Sequence, residues 1–345
     1  MPRISPDLLR RFVTAVIEAL GTSSQKARLV CDHLVEANLT GHDSHGVIRL
    51  MQYCNDLKAG LVRPDAEPRI LRRGASTALI DGGQGWGAPA ARFAMDLAIE
   101  MAETHTLSAV SVRSCHHIGR VGVFPALAAE RGLIGMGYCN VEGQARVAPW
   151  GGTERRLPTN PIAIAVPAEG DPIVVDFATC AVSEGKVRLY KTEGKQVPAG
   201  WVLDEKGNFS TDPNDAYEDG AIAPLGGDQG HKGYGLAVAI DLLGGILAGA
   251  TSAAMEGRYG NNFLFQVIDP SAFGDPSDFR RGIADYVHYV TSARRREGVK
   301  QILMPGQIEL IRRAENLKHG LRIEPEVWNQ LKELGRSMGI ELEGD

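Results

Sequence analysis

The segment best suited to chemistry in this 345-residue chain is DSHGVIR at residues 43–49. Its His45 and Arg49 are four positions apart, so on a helix they share one face about one turn apart. A guanidinium binds a carboxylate through two parallel hydrogen bonds, and an imidazole gives or takes a proton near neutral pH. The pair therefore suits a small 2-oxo or 2-hydroxy acid. The alternative is an ordinary exposed helix turn.

A second cluster, CHHIG at residues 115–119, follows a strand-like run and contains His116 and His117. Binding groups collect in loops at strand ends, so we expect at least one imidazole to face a pocket. Adjacent histidines cannot chelate in the i, i+4 manner, and no H-E-x-x-H motif or carboxylate cluster accompanies them, so we predict no metal site. The alternative is a pair of hydrogen-bonded loop or core histidines.

Further segments offer groups for a polar or phosphorylated ligand. The turn PTNP at residues 158–161 presents Thr159 and Asn160 for oriented hydrogen bonds. The run DFAT at residues 176–179 follows a buried strand, and GHKGYG at residues 230–235 opens a helix. Lysine beside glycine amides at a helix start suits phosphate, so both runs are candidates for binding a pyrophosphate.

The run GQGWGA at residues 83–88 matches the relaxed dinucleotide pattern G-x-G-x-x-G/A between a strand-like run and a helix. The next strand-like run ends in Arg113 and Ser114 rather than in the acid that would receive a ribose. Pro89 and Trp86 are also unusual in a phosphate turn. We therefore interpret this run as a glycine-rich turn that leads into a helix, not as a Rossmann site.

Helices and strands must position these candidate side chains. The first sixty or so residues predict three helices: one with Pro6 at its first position, one after Ser24, and one from near Asp43 and Ser44 to Gly60. Short β-like runs separated by glycine-rich turns and helices predict an α/β or α+β domain. These runs are 77–80, 109–112, 134–138, 162–166 and 173–175.

The remaining chain predicts a surface excursion and two helices. The polar segment at residues 191–230 contains two turns and looks like a long surface excursion before an apolar helix from about Tyr234. The charged amphipathic stretch at residues 324–342 is expected to pack as a helix on the N-terminal helices.

Composition limits the classes of ligand. The hydrophobic fraction of 43% and charged fraction of 23% are those of a folded protein, and the net charge of -5 provides no basic excess for nucleic acid or a membrane surface. Five scattered cysteines favour neither a zinc site nor a disulfide framework, so a reducing cytoplasm is expected. We identify no signal peptide and no membrane span. Small molecules are the expected ligands.

Taken together, these segments resemble the malate/L-lactate dehydrogenase family, which also includes sulfolactate and ureidoglycolate dehydrogenases, diketogulonate reductase and cyclic-imine reductases. Their order and spacing match over nearly the whole chain. The landmarks are Ser44 to Gly46 with Arg49, His117 with Gly119, Asn140, Pro149 to Gly152, Thr159 to Pro161, Asp176 to Thr179, Lys232 to Gly235 and Pro305-Gly306.

The resemblance implies an α/β (α+β) fold: a non-Rossmann nicotinamide-binding domain with a largely antiparallel sheet flanked by helices, plus a helical domain. We expect residues 1–73 with 310–345 to form the helical domain and residues 74–309 the NAD(P)-binding and catalytic domain. The resemblance also implies a homodimer with sites near the interface, and reversible hydride transfer between NAD or NADP and a small 2-oxo or 2-hydroxy acid.

Residue roles follow by position. His45 would be the acid/base, Arg49 and Thr159 would hold the substrate carboxylate, and His117 would be a second catalytic or substrate-facing imidazole. The residues expected to contact the cofactor are Asn140, Asp176, Phe177, Ala178, His231, Lys232, Gly306 and Gln307.

Three features depart from the family pattern. Leu157-Pro158 stands where a glycine is expected before Thr-Asn-Pro, the stretch from Asn140 to Pro149 is longer than usual, and Asn262 replaces a histidine. The first two flank the expected substrate pocket. The substrate therefore stays open, with a cyclic imine carboxylate or ureidoglycolate as alternatives to a malate- or lactate-like acid.

Two other classes of function were considered. An S-x-x-K match at residues 183–186 would suit a serine hydrolase, but the S-D-N and K-T-G partner motifs are missing. A non-catalytic protein that kept the fold would bind nucleotide without consuming reduced cofactor, and the presence of both His45 and Arg49 argues against it.

Overall fold

The computed structural model describes residues 3–250 and 259–342. The ends of the predicted helical domain, residues 1–2 and 343–345, lie outside this range. The α-helices are α1 (Pro6–Ala19), α2 (Ser24–Leu39), α3 (Arg49–Lys58), α4 (Gly87–His105), α5 (Val123–Ala129), α6 (Glu184–Thr192), α7 (His231–Ile240), α8 (Pro276–Thr291), α9 (Gln307–His319) and α10 (Pro325–Met338).

The strands belong to one large sheet and two small ones. Those of the large sheet are β2 (Arg69–Arg73), β3 (Thr77–Asp81), β4 (Leu107–Cys115), β5 (Ile134–Glu142), β6 (Pro161–Val166), β7 (Ile173–Ala178) and β11 (Gly260–Ile268). The short strands are β1 (Arg3–Ile4), β8 (Val202–Leu203), β9 (Phe209–Ser210), β10 (Ala221–Ile222) and β12 (Leu321–Arg322).

The seven-stranded sheet has the order β2-β3-β4-β11-β5-β6-β7. Among the described strands of this sheet, β3 and β4 pair in parallel and every other neighbouring pair is antiparallel. The prediction of a largely antiparallel sheet flanked by helices is confirmed. Sequence reasoning missed β11, the central strand, because its first residues, Gly260, Asn261 and Asn262, are typical of a turn.

The two chain ends share one hydrophobic core. Leu9 of α1, Leu34 of α2 and Leu50 of α3 pack in the same buried cluster as Trp328 and Leu331 of α10. Strands β1 and β12 pair beside this cluster. The expected return of the last helix onto the N-terminal helices is confirmed, whereas the domain boundaries at residues 73/74 and 309/310 stay a prediction.

The polar segment at residues 191–230 is more than a surface excursion, which corrects that expectation. Strands β8, β9 and β10 form a small antiparallel sheet, and Val187, Val197, Val202 and Ile222 are buried in a core of their own. One of the two turns predicted in this segment is present at residues 204–208, because Asp204 Oδ1 accepts the backbone N–H groups of residues 206 and 208. Short apolar residues spaced between polar ones concealed this core in the sequence.

The glycine-rich turn after β3 serves packing. It connects β3 through α4 to the parallel β4, yet the start of α4 is covered by the loop that carries His116 and His117. A Cβ at Gly87 would lie 2.3 Å from the carbonyl oxygens of both histidines. Only glycine permits this approach, so the interpretation as a structural turn agrees with the fold.

None of the described helices is long and apolar enough to cross a membrane.

Candidate active site

The turn that carries His45 differs from its predicted form. Residues Asp43–His45 form a 3-10 turn, the backbone extends at Gly46, and α3 begins only at Arg49. His45 and Arg49 are therefore not on one helical face, and neither Asp43 nor Ser44 caps α3, whose N-cap is Ile48. A Cβ at Gly46 would clash with the Asn38 side chain at 2.1 Å, which explains why this position is glycine.

Hydrogen bonds nevertheless place His45 and Arg49 together. The Ser44 hydroxyl contacts His45 Nδ1 at 3.0 Å, and the Ser44 carbonyl accepts from Arg49 Nε at 2.6 Å. Arg49 Nη1 donates to Gln52 Oε1 at 2.7 Å. The turn and the first residue of the helix thus share Ser44 as a common support.

His117 joins this cluster from the loop after β4. Its ring stacks on that of His45, with the centroids 5.7 Å apart and the planes 22° from parallel. The Tyr53 hydroxyl on α3 contacts His117 Nδ1 at 2.9 Å. No hydrogen bond among the described residues engages Nε2 of either imidazole.

The cluster favours neutral imidazoles. Burial lowers the pKa of His45 to about 3, because it disfavours the charged ring, and the Arg49 guanidinium adds to this effect. The pKa of His117 is well below its usual range for the same two reasons, with His45 as a further cause. Burial also raises the pKa of Tyr53, so its phenol stays protonated. The site therefore carries one fixed positive charge, on Arg49.

Contacts from several elements hold the His117 loop. Asn261 Oδ1 on β11 accepts the Ile118 N–H at 2.8 Å. His33 Nε2 on α2 accepts the Arg120 N–H at 2.9 Å, and Arg120 Nε donates to Asp176 Oδ2 at 3.0 Å. The loop is therefore anchored to a helix and two strands of the sheet.

Most residues expected at the cofactor lie along β7, the edge strand of the large sheet. Asp176 is held by Arg120 and by the Gly122 N–H, and the Phe177 side chain is 39% exposed. At the start of β7, Val174 N–H donates to the Pro305 carbonyl, which brings Gly306 and Gln307 beside the strand. Gly306 has a φ of +93° and precedes the first residue of α9.

The other end of β7 adjoins the start of α7. Thr179 N–H donates to the Thr159 carbonyl, and the Thr179 carbonyl accepts the Leu225 N–H. Leu225 backbone packs directly on Gly233 of α7, which begins with the exposed His231 and Lys232. One strand edge therefore runs between two helix N-termini, an arrangement that suits an anionic dinucleotide.

Asn140 occupies a different environment from these groups. It is fully buried on β5, where its amide donates to Asp241 at 2.5 Å and accepts from Asn262 at 3.0 Å. Asn160 also donates to Asp241, at 3.2 Å. Asn262, which departs from the family pattern, accepts the Ser114 N–H as well. The Asn140 side chain is thus engaged by the protein itself.

Sequence reasoning missed four polar groups beside the histidines. Gln52 contacts Arg49, Tyr53 contacts His117, and Asp56 Oδ2 contacts His116 Nε2 at 2.9 Å. With Arg49, three of these residues follow the i, i+3, i+4, i+7 spacing of one helix face. That spacing was the available signal. The fourth group, Tyr259, contacts Gln52 from a distant part of the chain.

Known proteins are similar to this chain over its whole length. The family model described as malate/L-lactate dehydrogenase matches residues 4–332. The malate dehydrogenase of Pyrococcus horikoshii is 36% identical, with 98% of this chain and 96% of that protein covered. Its solved structure has a TM-score of 0.90 at 34% identity, with 99% and 96% of the two chains covered.

Two further relatives carry other names. The L-sulfolactate dehydrogenase of Methanocaldococcus jannaschii is 33% identical, with 99% of this chain and 98% of that protein covered. The structure of delta1-piperideine-2-carboxylate reductase from Pseudomonas syringae has a TM-score of 0.85 at 28% identity, with 97% of this chain and 100% of that chain covered.

Proposed function

This chain belongs to the malate/L-lactate dehydrogenase family, and we propose that His45, Arg49 and His117 form its catalytic centre. It is an oxidoreductase that transfers a hydride between a nicotinamide cofactor and a small 2-hydroxy or 2-oxo acid. The observation that supports the site is the stacked pair of imidazoles beside one fixed guanidinium.

The substrate would bind with its carboxylate on Arg49, where opposite charge and the planar donor group favour it. Thr159 would complete this subsite, as the position of the family motif suggests. His45 Nε2 would face the oxygen on carbon 2. The nicotinamide, when bound, supplies or accepts the hydride at that carbon.

Proton transfer follows from the charges of the cluster. In the free enzyme His45 is neutral, so it can accept the hydroxyl proton of a 2-hydroxy acid. A bound carboxylate would offset the Arg49 charge and raise the pKa of His45, which lets the same ring donate a proton during reduction. His117 would then be the second imidazole at the substrate oxygen, oriented by Tyr53.

The edge of β7 fits an anionic cofactor. Exposed His231 and Lys232 at the start of α7, and Gly306 and Gln307 at the start of α9, would hold its phosphates. Asp176, Phe177 and Ala178 of β7 would contact the cofactor between the starts of these two helices. Asn140 would act through its backbone or through the buried amide network, because its side chain has two protein partners. The choice between NAD and NADP is left to measurement of both cofactors.

The test is a His45→Ala variant assayed with NADH and NADPH on a panel of 2-oxo acids. Loss of a general acid or base typically lowers kcat by about 10²–10⁴-fold, and we expect a loss in this range while the reduced cofactor still binds. His105→Ala, which removes an exposed histidine at the end of α4, is the matched control. Wild-type turnover by His45→Ala would contradict the assignment.

A second substrate class follows from the similarity to the piperideine carboxylate reductase. A cyclic imine with an adjacent carboxylate presents the same anion to Arg49 and a C=N bond in place of the ketone. Ureidoglycolate is a 2-hydroxy acid, so it is tested in the oxidising direction with NAD+ and NADP+. The ratio of kcat/KM values among these compounds decides which class is the substrate.

We also propose that the enzyme is a cytoplasmic homodimer. Helix α8 contains no buried residue: Phe279, Ile283, Val287 and Val290 along its apolar stripe are half-buried, and Tyr286 and Tyr289 are exposed. Four large side chains after α7 are also exposed to between 39% and 61%; they are Leu242, Leu243, Ile246 and Leu247. Exposed apolar surface of this extent favours a second copy as the covering partner. All five cysteines are free and buried, which suits a reducing compartment.

A further inference from the structure

Arg49 has its side chain partly committed before any substrate binds. A guanidinium has five N–H donors. The Nε donor goes to the Ser44 carbonyl at 2.6 Å, and one Nη1 donor goes to Gln52 Oε1 at 2.7 Å. Among the described residues, no hydrogen-bond partner engages the other three donors, one on Nη1 and two on Nη2. The fork that these two nitrogens form at the end of the guanidinium is therefore the edge left for a carboxylate.

Gln52 can accept the hydrogen bond from Arg49 in only one orientation of its side-chain amide. Its Nε2 donates to Asp56 Oδ2 at 3.2 Å and contacts the Tyr259 hydroxyl. A carboxylate accepts hydrogen bonds and a guanidinium only donates, so the amide oxygen must face Arg49 and the amide nitrogen must face Asp56. Inverting the amide would break both contacts.

Asp56 is itself held from the loop that carries His116 and His117. His116 Nε2 contacts Asp56 Oδ2 at 2.9 Å, and the His116 ring is enclosed by Tyr53, Trp86 and Tyr259. The side chain of His116 is fully buried. The order of contacts is thus His116, Asp56, Gln52 and Arg49, from the rigid loop to the guanidinium.

We propose that Gln52 is a positioning residue for the substrate carboxylate, through the Nη1/Nη2 edge of Arg49 that it leaves free, with Asp56 and His116 fixing its amide. The inference rests on the proposed function, because it assumes that Arg49 binds the carboxylate. It assigns a substrate-discriminating role to residues that do not touch the substrate. The group recognised is a carboxylate beside a carbonyl carbon.

The experiment compares Gln52→Leu with the wild type on the best 2-oxo acid of the panel and on its primary amide. A hydrogen bond to a charged group contributes a factor of roughly ten to a hundred to a binding constant. Because Arg49 holds the carboxylate equally before and during hydride transfer, we expect KM for the acid to rise by at least about tenfold and kcat to change less than about threefold. KM for the primary amide should rise much less, so the preference of the enzyme for the acid over the amide falls.

Two further variants separate positioning from folding. Gln52→Glu keeps an acceptor for Arg49 but replaces the donor to Asp56 with a second carboxylate oxygen and adds a negative charge that competes with the substrate, so KM for the acid should again rise while KM for the amide changes less. Asn55→Leu replaces an exposed amide on the same helix and should leave KM unchanged. Thermal midpoints of the three variants show whether folding is intact.

The outcomes distinguish a failure of the role assigned to Gln52 from a failure of the proposed function. Equal losses of Gln52→Leu on acid and amide, a fall in kcat at constant KM, or an unchanged preference for the acid would overturn the inference alone. A wild-type enzyme that reduces no 2-oxo acid would refute the proposed function and remove the premise of the inference with it.

Discussion

Gly87→Ala should disable the enzyme without any change to a side chain that meets the substrate. The added Cβ would lie 2.3 Å from the carbonyl oxygens of His116 and His117, whereas ordinary contacts begin near 3.4 Å. The shortfall is about 1.1 Å, and both neighbours are backbone atoms, so the loop itself must move. A misplacement of 1 Å can cost a factor of about 10² in rate. We expect kcat to fall by about a hundredfold, because His117 would no longer stack on His45.

The assay is kcat and KM with the best 2-oxo acid, combined with a denaturant titration. Overpacking typically costs about 1–3 kcal/mol, so the variant should unfold at lower denaturant but still fold. Gly274→Ala is the matched control, since a Cβ there meets nothing within 4 Å. A Gly87→Ala enzyme with wild-type kcat, or an activity loss equal to its unfolded fraction, would refute the argument that this glycine positions His117.

Two other predictions concern pH and assembly. The pKa of buried His33 is lowered to about 4, so the unfolded state binds its proton below about pH 6.5 and the folded state does not; stability should therefore fall by about 2 kcal/mol between pH 7 and pH 5 from this residue alone. His33→Gln should reduce that slope in urea titrations, and an identical slope would contradict the assignment. Tyr289→Asp, at a side chain 76% exposed on α8, should convert a particle of twice the 37.1 kDa chain mass into a monomer by light scattering. Phe209→Asp on the small sheet should leave the mass unchanged, and a wild-type monomer would refute the homodimer.

The sequence predicted those parts of the fold in which local pattern and tertiary environment agree. Pro6 begins α1 as expected, and the strands from β3 to β7 lie where apolar runs placed them. Strand β11 was missed because Asn261 and Asn262 are polar for a tertiary reason. Their side chains accept the N–H groups of Ile118 and Ser114, which lie in or beside the loop that carries His117. Such long-range bonds leave no periodic trace in one sequence.

The candidate site shows the same limit of sequence-based prediction, here between residues close in the chain. The sequence predicted His45 and Arg49 on one helix face, whereas Asp43–His45 form a 3-10 turn and α3 begins only at Arg49. Both side chains instead contact Ser44, His45 through its hydroxyl and Arg49 through its carbonyl. Two residues of one motif can therefore lie close together even where the assumed helix is absent.

Helix α3 carries the residues that hold Arg49 and the two histidines of the neighbouring loop. Its first residue is Arg49, and the positions three, four and seven residues later are Gln52, Tyr53 and Asp56. One face of this helix thus supports the guanidinium through Gln52, orients His117 through Tyr53, and contacts buried His116 through Asp56. Because the same face supports Arg49 and His117, a shift of α3 would move both together. In the proposed function, substrate recognition and proton transfer would therefore be coupled through one helix, independently of which 2-oxo acid the enzyme reduces.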